Sequence, residues 1–241
     1  MSPKQRVSEQ PAWVLHALPW RETSLIVEAF ARDYGRVALV AKGARRPLSS
    51  LRGVLMAFQP LLLDWSGGGE VKTLARAEWR GGQALITGRA LLCAYYVNEL
   101  ILKLAAREDA HPGLFGAYEA VMSALASGEA LPPLLRRFEV ALLRELGWGL
   151  VLDSDVGARP LQPAAPYVYV IEHGPCAANG GAREREGIPV CGQTLLDLGA
   201  GDFSRAATLA ESRRLLRAAI DHHLGGKSLQ SRRVFRALHE L

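Results

Sequence analysis

The sequence predicts an α+β chain: an N-terminal five-stranded β-barrel, then an α-helical domain that carries an irregular, β-containing insertion. Three observations predict it. Over the first 80 residues, short runs rich in β-branched and aromatic residues alternate with turn residues. From Ala84 onward the apolar period becomes that of helices. Between residues 150 and 203 neither period holds, and prolines and glycines accumulate.

The first strand is Ala12–Leu18 (AWVLHAL), closed by Pro19, and the second is Ser24–Phe30 (SLIVEAF). Arg36–Ala41 (RVALVA) follows an Asp33-Tyr34-Gly35 turn. Pro60–Trp65 (PLLLDW) runs into Gly67-Gly68-Gly69, and Val71–Trp79 completes a hairpin across those glycines. Five short strands with this punctuation suit an OB-fold, with an SH3-like barrel as the alternative. The barrel is expected over 11–81, behind a flexible tail at 1–10.

Leu85, Leu92, Tyr95, Tyr96, Leu100 and Leu104 recur at helical spacing up to about Arg107. His111-Pro112-Gly113 breaks that helix, and a second runs from Leu114 to Leu125. Pro132-Pro133 opens a third, which ends at Gly147 as a C′ glycine. Residues 150–203 form the irregular insertion, with one β-like run, Tyr167–Ile171. Helix returns over Thr208–Leu224, stopped by Gly225-Gly226, and Ser228 is a natural N-cap for a last helix to Leu238. The helical domain thus comprises 82–149 and 204–241.

The chain has 241 residues, 49% hydrophobic and 22% charged, which is globular composition able to bury a core. The opening MSPKQRVSEQ lacks the apolar region of a signal peptide. The longest apolar candidate, Ala84–Ala106, is broken by Thr87, Arg89, Asn98, Glu99 and Lys103, so no membrane span is expected. Three cysteines, Cys93, Cys176 and Cys191, imply no disulfide framework. A soluble, cytoplasmic, nucleoid-associated protein is expected.

Charge is distributed in blocks. Residues 1–80 hold 12 Lys/Arg against 7 Asp/Glu, net +5; residues 81–204 hold 9 against 14, net −5; residues 205–241 hold 8 against 3, net +5. Two basic ends around an acidic middle suggest a polyanion partner; solvated surface charge is the plainer reading. The most concentrated stretch carries Arg36, Lys42, Arg45, Arg46 and Arg52 with no acidic residue between them, and its Gly43, Pro47, Ser49 and Ser50 read as a flexible loop. Such a loop on a barrel rim suits a phosphate backbone, and Arg21 beside Trp20 adds a cation after the first strand. Trp20 and Tyr34, next to turns, are candidates to stack on unpaired bases, or else core residues. Trp13 and Phe58 are expected to fill the barrel core. Arg213, Arg214, Arg217, Lys227, Arg232 and Arg233 form a secondary basic surface. Arg136 and Arg137, before Phe138 and a leucine-rich face, are candidates to seat an acidic, hydrophobic peptide tail, against the plainer reading of amphipathic packing.

Several patterns point away from catalysis. Gly225-Gly226-Lys227-Ser228 looks like the end of a phosphate-binding loop, but the required earlier glycine position is Asp221 and a helix precedes it. His173, Cys176 and Cys191, with Asp153 or Asp155, could supply zinc ligands, yet no paired C-x-x-C fixes a tetrahedron, so no metal or other cofactor is expected. No nucleophile motif is present, and His222-His223 reads as helix capping. A nucleotidyl transferase or nuclease would need clustered carboxylates for a divalent metal, and those of 81–204 are scattered. An RNA-binding OB protein is not separated from a DNA-binding one at this level.

Three segments carry a resemblance. Trp20-Arg21-Glu22-Thr23-Ser24 through Gly35-Arg36 to Ala41-Lys42-Gly43-Ala44-Arg45, then Arg137-Phe138-Glu139 with Leu142-Leu143 and Leu146-Gly147, then Leu224-Gly225-Gly226-Lys227-Ser228-Leu229-Gln230-Ser231-Arg232, occur in the order and spacing of the bacterial recombination mediator family RecO. The resemblance covers nearly the whole chain. It implies an N-terminal OB-fold, a helical domain and a middle insertion that binds zinc in many members. It implies binding of single- and double-stranded DNA and annealing of complementary strands. It implies work with RecR, and in some species RecF, to load the RecA recombinase onto DNA coated by single-strand binding protein, whose acidic C-terminal tail the family contacts. This sequence departs from the zinc-bearing pattern: the first cysteine pair is replaced around Asp153–Asp155 and only single cysteines follow.

Overall fold

In the computed structural model, which describes residues 5–178 and 187–239, β1 (Gln5–Trp20), β2 (Ser24–Ala31), β3 (Gly35–Ala41), β4 (Pro60–Gly67) and β5 (Val71–Trp79) close a barrel in the order β1-β2-β3-β5-β4. All its pairings are antiparallel except β3 with β5. This is the expected OB-type barrel. Its interior holds Val27, Leu39, Leu61, Leu63 and Trp65, all fully buried.

β1 closes the barrel by serving two neighbours. Its first half pairs with β4 and its second half with β2. Residues 5–10, expected as part of a tail, are therefore strand, with Val7 opposite Trp65 and 4% exposed. The sequence hides this because a register shift falls between Val7 and Gln10 and interrupts the period-two pattern. Glu9 there has φ +51°, and its N–H donates to Asp64 Oδ1 at 2.7 Å.

A single helical turn, α1 (Leu51–Val54), links β3 to β4, and α2 (Gly88–Leu104) and α3 (Pro112–Ala126) follow β5. Trp13 and Phe30 are paired across β1 and β2 and face α3, where their rings meet Tyr118 and Phe115 at centroid distances of 5.4–5.7 Å. Trp13 is buried as expected, but against the helix and not inside the barrel. Phe58 is likewise buried outside the barrel cluster, edge-on to Tyr95 of α2. Asn98 of α2 donates to Leu15 O at 2.9 Å and accepts from Tyr118 Oη at 2.6 Å, so its amide and the Tyr118 hydroxyl are both partnered within this packing.

Arg36 fastens the barrel to α2. Its Nη1 donates to Leu102 O at 2.6 Å and Ala105 O at 2.7 Å, carbonyls at the helix end that have no partner within the helix. Its Nη2 meets Glu28 Oε2 at 3.5 Å, and Glu28 also pairs with Arg107. Glu108 N–H returns to Arg36 O at 2.9 Å. The neighbouring Gly35, φ +63°, admits this contact because a Cβ there would lie 2.0 Å from Asp109 O.

The last helix, α7 (Gln230–His239), docks on α2. Glu99 accepts from Gln230 N at 2.8 Å, Ser231 N at 2.9 Å and Ser231 Oγ at 2.7 Å. This carboxylate from a distant helix thus caps the first amides of α7.

Described residues of Met1–Glu129 and Leu229–Leu241 form one compact unit and Ala130–Ser228 a second. The first compact unit extends through α3 because α2 and α3 bury their apolar faces on the barrel. The second unit holds α4 (Leu131–Glu145), a small sheet of β6 (Pro166–Val170), β7 (Gly174–Ala177) and β8 (Ile188–Cys191) in the order β7-β6-β8, α5 (Gly192–Ala200) and α6 (Ala206–His223). The insertion is thus more regular than its composition suggests. β7 and β8 have four residues each, too few to show a period. Tyrosine hydroxyls tie the intervening loops to the sheet: Tyr169 Oη accepts from Val151 N and Tyr167 Oη from Gln162 N, each at 2.9 Å. Asp197 of α5 is buried yet charged. Burial pushes its carboxyl up, but hydrogen bonds from Thr208, Gln193 and Arg205 outweigh that and hold it below the usual carboxylate range.

Replacing Arg36 with Ala leaves two partly buried carbonyls without donors and is expected to cost about 2 kcal/mol of unfolding free energy, with Arg36→Lys recovering only part, as read by urea denaturation. The depressed Asp197 carboxyl contributes stability that is fully present above the unfolded-state aspartate pKa and is lost as pH falls through the folded-state value. Asp197→Asn should therefore be less stable at pH 7 and lose less on acidification, measured by urea midpoints from pH 7 downward.

Candidate nucleic-acid interface

Two connections meet at one end of the barrel: the β1–β2 turn, residues 21–23, and the loop from Lys42 to Ser50. Arg45 latches them together. Its N–H donates to Thr23 O at 2.8 Å, and its Nη1 reaches Glu22 O at 3.2 Å and Arg21 O at 3.4 Å. The loop is a succession of tight turns, with Arg46 N to Gly43 O, Ser49 N to Arg46 O and Arg52 N to Ser49 O at 3.0–3.2 Å. It is more ordered than the flexible loop its composition suggests. The Arg46 side chain lies over Gly43, where a Cβ would meet it at 3.5 Å.

The latch gathers Trp20, Arg21, Lys42, Arg45 and Arg46 around one rim, all exposed, with Glu22 as the acidic residue among them. Arg52 follows, exposed, on α1. Among the described residues, ion pairs take up Arg32 with Asp33, Arg76 with Glu78, Arg80 with Glu119 and Lys72 with Glu108, and none involves Arg21, Lys42, Arg45, Arg46 or Arg52. The rim therefore presents five cations outside any ion pair against the one carboxylate of Glu22, an excess of positive charge that suits a phosphate backbone. Trp20, 45% exposed, offers a ring face beside them, and Leu48 at the loop tip is 99% exposed.

Two expected members belong elsewhere. By strand register, Ala41 lies opposite Leu25 and Gly35 opposite Ala31, so Tyr34 and Arg36 occupy the other end of the barrel. The Tyr34 ring packs edge-on to Trp65 at 5.3 Å, as a plug on the core. The Arg36 guanidinium is committed to the α2 carbonyls and Glu28. Trp79, the last of β5, is also exposed, at 54%, and its Nε1 donates to Val54 O of α1 at 3.2 Å.

The secondary basic residues divide between the units. Arg213, Arg214 and Arg217 lie exposed on α6 of the second unit, with Arg217 Nε 3.7 Å from Asp221, and Lys227 follows in the same unit. Arg232 and Arg233 belong to α7 in the barrel unit, where Arg232 lies over the Tyr96 ring at 5.8 Å and Arg233 donates to Gln230 at 3.1 Å. Of the pair expected to seat a peptide tail, Arg136 is buried and bonded to Glu139 at 2.8 Å, which removes it from any partner. Arg137 is exposed, with its guanidinium 5.6 Å from the centre of the Phe203 ring.

The segment resembling a phosphate-binding loop is a helix stop. Gly225 and Gly226 adopt left-handed φ values of +57° and +84°, and Lys227 N donates back to Leu224 O at 3.1 Å. His173, Cys176 and Cys191 do not converge. Cys176 and Cys191 lie on the strands flanking β6, and Cys191 Sγ donates to Pro163 O. Asp155 caps its own loop, accepting from Gly157 N, Arg159 N and the Arg159 guanidinium. Among the described residues, a different trio brings ligating atoms together, Glu172, His222 and His223. His223 stacks on Trp148, and burial, with His222 alongside, lowers its pKa below the usual imidazole value.

The chain matches two family models, "Recombination protein O N terminal" over residues 5–82 and "Recombination protein O C terminal" over 87–233. It is 64% identical over 243 residues to the DNA repair protein RecO of Aromatoleum aromaticum and 61% identical over 243 residues to that of an Azoarcus species, with all of each chain covered. The corresponding protein of Dechloromonas aromatica is 50% identical, again over the whole of both chains.

Combined replacement of Lys42, Arg45 and Arg46 by Ala should weaken binding of an oligothymidylate and flatten the dependence of log K on log salt by up to about 0.7 per lost phosphate contact. Arg32→Ala, at the far end of β2 and already paired with Asp33, should leave that slope nearly unchanged. Fluorescence anisotropy over a salt series checks both.

Proposed function

Because the chain belongs to the RecO family of DNA repair proteins, we propose that it acts in recombination and repair as a non-catalytic DNA binder. In this reading it holds single strands on the barrel rim, anneals complementary strands and helps load a recombinase onto single-strand DNA that is already coated. The observation that carries this is the Arg45 latch, which holds unpaired cations and the exposed Trp20 ring around one end of the barrel. The physical obstacle to annealing is repulsion between two polyanions. A surface with cations in excess over carboxylates screens it, while stacking on Trp20 holds bases unpaired until they meet a complement. No bond is made or broken, so the task needs no general acid, base or nucleophile. The helix stop at Gly225-Gly226 supports a reading without nucleotide hydrolysis.

The cations of α6 (Arg213, Arg214, Arg217) and Lys227 supply a further basic surface for double-stranded DNA or a second strand. The partners in this reading are RecR, in some species RecF, and the acidic C-terminal tail of single-strand binding protein. With Arg136 committed to Glu139, Arg137 is the member of the original pair that remains exposed to meet a carboxylate.

Purified protein should accelerate annealing of complementary oligonucleotides without ATP, and the Lys42/Arg45/Arg46 triple Ala variant should lose most of that acceleration. Strand pairing followed by fluorescence quenching gives the rate. Annealing that requires ATP, or that the triple variant retains in full, would overturn the proposal.

A further inference from the structure

We propose that Glu172, His222 and His223 bind one divalent transition-metal ion of the zinc type. One ligand atom from each of these residues lies within 4.8 Å of the other two, and His222 Nε2 is 3.2 Å from Glu172 Oε1. Ligands held at about 2.0–2.2 Å from one ion stand roughly 3–4.4 Å apart, so small side-chain adjustments complete the site.

Consecutive residues of a helix point about 100° apart, which normally keeps adjacent histidines from sharing an ion. Here α6 ends at His223. The two rings stand 88° to each other with centroids 5.1 Å apart. Trp148 lies parallel to His223 at 4.2 Å. That stacking fixes the plane of the imidazole while leaving its nitrogens, whose lone pairs lie in the plane, free to coordinate.

Glu172 comes from the β6–β7 turn. His173 N donates to Val170 O at 3.0 Å, and Glu172 has φ +66° at the third position of the turn. That is where a type II turn ordinarily takes glycine or asparagine. The turn itself does not call for a glutamate, whereas the carboxylate beside His222 does. Two imidazoles and a carboxylate select Zn²⁺, Ni²⁺ or Cu²⁺ over Mg²⁺ or Ca²⁺. Three protein ligands leave the fourth position to water. The ion would clasp the β6–β7 turn to the end of α6, and the site uses none of the cysteines.

The test is titration of tag-free, chelator-treated full chain with zinc chloride against a chromophoric zinc indicator, with thermal melting in parallel. One zinc per chain is expected, with a rise in Tm. Glu172→Gly relieves the left-handed strain, so it should melt no lower than wild type without zinc, yet lose affinity by about tenfold or more and lose the zinc-dependent rise. His222→Ala should lose affinity similarly, while the Cys176→Ser/Cys191→Ser variant keeps it. Co²⁺ should give d–d bands without a thiolate charge-transfer band. Absence of zinc uptake by the wild type, full affinity in Glu172→Gly, or a thiolate band with Co²⁺ would overturn the proposal.

Discussion

A single guanidinium pins the end of the first long helix to the barrel. Arg36 projects from the start of β3 and terminates α2 by donating to Leu102 O and Ala105 O. A helix end offers carbonyls with no internal partner, and burying them without donors costs more than most single contacts return. The close approach of Gly35 to Asp109 O, the return bond from Glu108 to Arg36 O and the sharing of Glu28 with Arg107 all follow from that placement. With α2 fixed, α3 can set Phe115 and Tyr118 against the Trp13–Phe30 pair.

The same arginine shows why a count of cations is a poor map of a polyanion surface. Charges along 1–80 separate by their partners. Arg36, Lys72, Arg32, Arg76 and Arg80 each face a carboxylate. Arg45 instead takes neutral backbone carbonyls of Arg21 and Glu22, which orders the rim without cancelling its charge. Order and net charge are thus obtained together, and a rim built this way presents its cations with less conformational freedom to lose on meeting a polyanion.

Legibility in the sequence followed the length of each pattern. Five barrel strands were readable because each is a short apolar run between turn residues, four of them with two or more β-branched or aromatic residues. The start of β1 was not, because the irregularity around Glu9 breaks alternation where Val7 would have revealed it. The small sheet was invisible beyond Tyr167–Ile171, since β7 and β8 are too short to carry a period. Within the site, Lys42, Arg45 and Arg46 were readable as an uninterrupted basic run. Arg36 belongs to the same run, but its role depends on carbonyls 66 and 69 positions away, which no local pattern encodes. Arg136 fails in the same way: its partner Glu139 is one helical turn on, and only packing shows that both are buried.

The grip of Glu99 on the first amides of α7 has a consequence for the order in which the chain acquires its structure. The barrel unit is discontinuous: residues Ala130–Ser228 intervene between its main part and the helix that Glu99 holds. Emerging from a ribosome, the barrel, α2 and α3 are complete long before α7 arrives, and Glu99 waits as an unfilled cap while the whole second unit is made. Until then the face of α2 that carries Tyr96 is uncovered. A translational pause or truncation anywhere in the second unit would leave a folded barrel with that surface open, a species that chaperones or proteases can distinguish from the finished protein.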